Sequence, residues 1–228
     1  MEIVLVRHAQ PDWEPAGLAV DHPALTPYGA QQAQAVAKAL ADESFDHLYV
    51  SPLERARATA APIAAALGLE PEVQSWLAEL RLPSLQGATS DQVQDFFAKA
   101  RARDLESWWE AAGPGGESFR HFYERVSGGL ESLLTGPHGA DIHEHDAHRL
   151  WQIPQPDRRL LIVAHEGTNA IILSHLLGIE PVSWAYVRFS TIWCGITRIR
   201  TMPIASGRVW VLRRFNADEH LAPLGPPP

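Results

Sequence analysis

Ile3-Val4-Leu5-Val6 is an unbroken apolar run, rich in β-branched residues, that ends abruptly in Arg7-His8. Such a run predicts a strand buried on both faces, the kind found inside a parallel sheet. In open α/β sheets, ligands gather beyond the carboxyl ends of the strands. The first strand therefore delivers a cation and an imidazole to the place where a site forms. The pattern recurs at Leu160-Leu161-Ile162-Val163-Ala164, which ends in His165-Glu166-Gly167. A weaker run, His47 to Val50, ends in Ser51-Pro52-Leu53-Glu54-Arg55. Arg7, His8, Arg55 and His165 are thus expected at converging strand ends. Two guanidiniums and two imidazoles together suit an anion, above all a phosphoryl group.

The helices follow from their start and stop signals. Thr26-Pro27 opens one that runs to about Ala41, with threonine as N-cap and proline at N1. Ser51-Pro52-Leu53-Glu54 reads as a capping box for a helix that reaches about Leu67 and stops at Gly68. That places Arg55 in a first turn, where the helix dipole already favours anions. Arg57 and Thr59 read as helix surface and helix packing. Pro71 to Gln74 is a short strand. Ser90 caps a helix of about 91–111, Gly113-Pro114-Gly115-Gly116 breaks it, and a helix from Glu117 to about Leu134 follows. With no strand between them, these two helices are expected to form a lid or side lobe. Trp108, Trp109 and Phe119 read as core first, and as a lining for an apolar leaving group second. A helix of about 168–177 closes at Gly178. Two late strands, Trp193 to Arg200 and Arg208 to Phe215, complete the sheet at one edge.

Residues 136–158 are dominated by Gly, Pro, His and Asp. His138, His143, His145 and His148 fall close together there, but no cysteine joins them and their spacing fits no standard zinc template. The expectation is a solvated insertion without metal. Overall, 1–228 reads as a single domain with a helical lobe at about 90–135 and a His-rich insertion at about 136–158.

Composition narrows the rest. No run of about 18 apolar residues occurs, and no leader-like segment, so a cytoplasmic address and no membrane partner are expected. Cys194 is the only cysteine, which excludes an internal disulfide. A net charge of −8 argues against a nucleic-acid surface. It is compatible with a small phosphorylated substrate held in a locally basic cleft. Oligomeric state is left open, a homodimer included.

The chemistry follows from the residue types. A neutral imidazole attacks phosphorus well, and nearby arginines disfavour its protonation. His8, fixed by a strand end, is the candidate nucleophile. Arg7, Arg55, His165 and the amides opening the 168–177 helix are candidate donors to the phosphoryl oxygens. With fixed cations present, no cofactor is required. The leaving oxygen needs a proton, and Glu79 is the candidate acid, with Glu166 and Glu14 as competitors. The same arginines would lower the pKa of Glu79, while a dry pocket would raise it.

Seven segments, in order, carry a family resemblance. They are Leu5-Val6-Arg7-His8-Ala9, Leu25-Thr26-Pro27-Tyr28-Gly29-Ala30-Gln31-Gln32-Ala33, Ser51-Pro52-Leu53-Glu54-Arg55-Ala56-Arg57-Ala58-Thr59-Ala60, Leu77-Ala78-Glu79, Gly115-Gly116-Glu117-Ser118, Val163-Ala164-His165-Glu166-Gly167, and Phe215-Asn216-Ala217-Asp218-Glu219-His220-Leu221. Together they resemble the phosphoglycerate-mutase-like branch 1 of the histidine phosphatase superfamily. The resemblance implies a three-layer α/β/α sandwich whose sheet is mostly parallel with an antiparallel edge. It implies a metal-independent phosphatase with His8 as the phosphorylated nucleophile. Arg7, Arg55 and His165 would form the phosphate pocket, and Glu79 would donate the proton.

Four departures stand out. Alanine follows Arg7-His8 in the place of a glycine, and Glu166 replaces another beside His165. That carboxylate either crowds the phosphate or acts on the substrate, so Glu166 joins the phosphate-pocket residues. The family's Gly-x-Trp-x-Gly is replaced by Leu82-Pro83-Ser84-Leu85-Gln86-Gly87, and the Gln10-Pro11-Asp12-Trp13-Glu14 loop lacks the mutases' Trp-Asn. A mutase-type phosphoryl transfer and a non-catalytic phosphate-binding scaffold are the alternatives.

Overall fold

The computed structural model describes residues 1–110, 115–145, 148–182 and 187–226. Its strands are β1 (Glu2–Arg7), β2 (His47–Val50), β3 (Pro71–Val73), β4 (Asp141–His145), β5 (His148–Gln152), β6 (Arg159–Ala164), β7 (Ile196–Ile204) and β8 (Gly207–Ala217). They form one sheet in the order β3-β2-β6-β1-β7-β8-β5-β4. From β3 to β1 every neighbour is parallel, and from β1 to β4 every neighbour is antiparallel.

The continuous apolar run of β1 is explained by its two covered faces. Ile3 and Leu5 pack into one core with Phe122, Val126, Leu130, Ile171 and Ile172. Val4 and Val6 pack into the other with Val36, Leu40 and Ile63. Helices α1 (Pro27–Leu40) and α2 (Glu54–Leu67) therefore lie on one side of the sheet. Helices α5 (Phe119–Thr135) and α6 (Glu166–Leu176) lie on the other. This is a three-layer α/β/α sandwich with a parallel core and an antiparallel edge.

Several local expectations are corrected. Ser51 is not the cap of α2, which begins at Glu54 with Leu53 as N-cap and no side-chain capping bond. The helix foreseen at 91–111 is two, α3 (Ser90–Arg101) and α4 (Leu105–Glu110). It starts from a capping box of Thr89 and Gln92, not from Ser90. The following helix is capped by Ser118, whose hydroxyl accepts from the His121 amide. The breaker residues 113 and 114 lie outside the described residues. Helix α3 buries no residue, whereas α5 buries six along one face. Trp108 stacks on Phe119 at 5.3 Å, joining α4 to α5.

The stretch 136–158 holds a β-hairpin, β4–β5, which extends the sheet from β8. Trp151 anchors it, fully buried and edge-on to Trp210 at 6.1 Å. One large side chain does the work of an apolar pattern, so periodicity did not reveal the strand. His138 is buried between the Tyr49 hydroxyl and Arg158, each at 2.9 Å. His143 is exposed beside Asp141. The late strands do pair as a hairpin, β7–β8, but β7 joins β1 and β4 takes the edge. Among the described residues no helix is long and apolar enough to cross a membrane.

Candidate functional site

Strand register assembles the site. Arg7 pairs with Ala164 between β1 and β6, so His8 and His165 leave neighbouring parallel strands at the same height. Val50 pairs with Val163, which puts Ser51 level with Ala164, one residue short of His165. The two imidazole centroids lie 5.0 Å apart, with rings inclined at 59°.

Both rings are buried. His8 Nδ1 meets its neighbour's carbonyl, Ala9 O, at 2.8 Å. A carbonyl can only accept, so the ring proton sits on Nδ1 and Nε2 carries a bare lone pair. Arg55 Nε donates to that lone pair at 3.3 Å. Burial, then the Arg55 and Arg7 guanidiniums, push the His8 pKa down to about 3. The ring is therefore neutral at ordinary pH. Thr59 locks this corner: its Oγ1 accepts from the Ala9 amide at 2.9 Å and donates to the Arg55 carbonyl at 2.7 Å. That agrees with its reading as a packing residue.

His165 Nε2 lies 2.7 Å from Ser51 Oγ, and its Nδ1 has no partner among the described residues. Ser51 Oγ also accepts from the Leu53 amide at 3.3 Å. Its own proton is then free to go to Nε2, which leaves N–H on Nδ1. Burial and the charges of Arg55 and Arg7 hold His165 well below its ordinary pKa. Arg55 is buried beneath the Trp13 ring, whose centroid is 4.9 Å from its guanidinium carbon. Arg7 lies over Trp193 at 5.8 Å, and its Nε has no partner among the described residues.

Glu79 arrives from the other core. Its Oε1 accepts from the Leu80 amide and its Oε2 from the Gly167 amide, each at 2.9 Å. Those bonds and the arginines lower its pKa, but burial outweighs them and raises it. Of the two effects the sequence left in contest, burial is thus the larger. The bond from Gly167 also revises an expectation: an amide at the start of α6 serves Glu79. Thr168 Oγ1 donates to the Ala78 carbonyl at 3.2 Å.

The competing carboxylates are engaged by other partners. Glu166 Oε2 is 3.0 Å from Arg7 Nη1, and its Oε1 accepts from Ser190 and Thr191. Glu14 accepts from the Ser90 hydroxyl. Sequence reasoning missed two supports. One is Ser51, taken for a helix cap. The other is Arg125, which donates to the carbonyls of Trp76, Ala78 and Glu79 while Glu117 accepts two bonds from its far edge. The Gly115-Gly116-Glu117-Ser118 turn signalled Glu117, but nothing marked its partner.

The arrangement brings a neutral imidazole nitrogen, two guanidiniums, one imidazole N–H and a carboxyl of raised pKa into one neighbourhood. Such a set can bind a tetrahedral oxyanion and move a proton beside it.

A family model described as the histidine phosphatase superfamily, branch 1, matches residues 3–218. Phosphoserine phosphatase 1 of Hydrogenobacter thermophilus is 33% identical over 182 residues, which are 79% of this chain and 78% of that one. A probable phosphoglycerate mutase of Escherichia coli is 28% identical over 227 residues, covering 97% and 95%. The native structure of a mycobacterial glucosyl-3-phosphoglycerate phosphatase superposes with a TM-score of 0.72 at 25% identity, covering 95% and 99%.

Proposed function

Since the chain belongs to the histidine phosphatase superfamily, branch 1, we propose that it hydrolyses a small phosphomonoester without a metal, through a phosphohistidine on His8. The observation that carries this reading is the bare Nε2 of His8, facing Arg55 at 3.3 Å and 5.0 Å from the second imidazole. The phosphatase relatives support hydrolysis as the outcome.

In the first step the Nε2 lone pair forms the N–P bond as the ester P–O bond breaks. Glu79 gives its proton to the departing oxygen. Arg7, Arg55 and the Nδ1–H of His165 bear the charge on the non-bridging oxygens. In the second step water attacks phosphorus, Glu79 takes a water proton, and the N–P bond returns its electrons to His8. Burial suits both histidines to these roles, because a protonated ring could neither attack nor be set down between two guanidiniums at low cost.

The test is phosphate release from an aryl phosphate in the presence of a chelator. Wild type is expected to turn over, and His8→Ala to be silent. Wild type quenched during turnover should carry protein-bound phosphate that is labile to acid and absent from the variant. A chelated wild type inert across a broad ester panel overturns the reading.

A further inference from the structure

Glu166 stands next to a phosphate-pocket histidine, yet it is committed to the pocket's own cation. Its Oε2 meets Arg7 Nη1 at 3.0 Å. Its Oε1 accepts from Ser190 Oγ at 2.7 Å and from the Thr191 amide at 3.2 Å. Arg7 Nη1 donates to the Thr191 carbonyl as well. One end of the guanidinium is therefore occupied by the protein's own carboxylate. The Nε is buried and has no partner among the described residues. The side chains of Arg7 and Glu166 are 19% and 31% exposed, so water screens the pair only in part.

We infer that Glu166 is a charge-limiting, specificity-determining residue: by holding and half-neutralising Arg7 it restricts the pocket to substrates whose phosphoryl group is their only anion. This rests on the proposed phosphatase reading. Two guanidiniums matched by one carboxylate leave about one net positive charge for a phosphoryl group near −2. An ester with a carboxylate near the phosphorus brings another negative charge toward Glu166, at a guanidinium that Glu166 already holds. A neutral leaving group meets no such cost. The indoles of Trp13 and Trp193, set against Arg55 and Arg7, offer it apolar surface instead.

The experiment compares wild type, Glu166→Gln and Glu166→Gly in two assays. Inorganic phosphate is titrated calorimetrically, which needs no turnover. kcat/KM is then measured for 3-phosphoglycerate and for glycerol 3-phosphate, which differ by a carboxylate in place of a hydroxymethyl group. Removing one partly screened charge is expected to tighten phosphate binding about tenfold. It should raise the 3-phosphoglycerate to glycerol 3-phosphate ratio by a similar factor.

A merely structural role would give the opposite sign: Arg7 would lose its anchor, phosphate would bind more weakly, and KM would rise equally for both esters. That outcome, or an unchanged ratio and phosphate affinity in both variants, overturns the inference. Unfolding midpoints identify a variant that has failed to fold, and the other then decides. If wild type binds phosphate but hydrolyses neither ester nor any aryl phosphate, the phosphatase reading has failed. The phosphate titration still judges Glu166 in that case.

Discussion

Gly167 donates its amide to Glu79 Oε2 at 2.9 Å, and a methyl group on Gly167 would stand 2.6 Å from Oε1. The Glu79 carboxyl, the proposed proton donor, thus rests where only a glycine leaves room. Gly167→Ala is expected to push the carboxyl out of place while leaving the guanidiniums alone. Turnover of an alkyl phosphate should fall by about one to two orders of magnitude. Phosphate affinity, measured calorimetrically, should change little.

If Glu79 supplies the proton, its importance depends on the leaving group. Glu79→Gln should slow an alkyl phosphate by about 10² to 10³-fold. A nitrophenyl phosphate, whose leaving group departs without protonation, should lose far less in the phosphorylation step. A plot of log(kcat/KM) against leaving-group pKa, steeper for the variant than for wild type, checks this. Parallel plots would remove Glu79 from the role.

Arg125 holds three carbonyls of the segment that ends at Glu79, while Glu117 braces it from behind. Arg125→Ala leaves those acceptors short of donors in a half-buried place. The expected result is a loss of about 2–3 kcal/mol in unfolding free energy. The slowing should follow the same leaving-group dependence as Glu79→Gln. Arg125→Lys offers one point charge in place of a planar fork and should recover only part of both.

Stability should fall in acid. His8 titrates near 3 in the folded protein and near the ordinary 6.5 when unfolded. His138, lowered to about 4 mainly by burial, behaves alike. Between those values and 6.5 the unfolded chain binds more protons. Folding stability is then full above about pH 6.5 and declines as pH drops, by about 1.4 kcal/mol per pH unit for each fully shifted histidine. Glu79 acts in the opposite direction: its raised pKa favours the folded state at low pH and is lost as pH rises through it. Urea titrations from pH 7.5 to 4.5 measure the slope. His138→Asn should flatten it.

The sequence exposed what depends on runs and punctuation. The apolar stretches of β1 and β6 located Arg7, His8 and His165, because a buried strand must end where its polar residues begin. Thr26 and Pro27 marked α1 for the same local reason. What stayed hidden depends on partners far along the chain. Ser51 looks like a cap next to Pro52, and only the approach of β6 gives its hydroxyl an imidazole instead. The β4–β5 hairpin hangs on Trp151 meeting Trp210, a contact that no local pattern announces. Arg125 sits on a helix like any surface arginine until the segment 76–79 is laid against it. The direction of the Glu79 pKa shift could not be read either, since burial is a property of the assembled core.

The parallel pairing of β1 with β6 has one more implication. A slip of a single residue between them would turn every side chain of the slipped strand to the opposite core, and would also carry one imidazole about 3.3 Å past its mate. Misalignment of the pair is therefore penalised by the same apolar contacts that hold the molecule together. Reactivity is inherited from folding, and the peripheral α3, which buries nothing, is free to diverge without disturbing it.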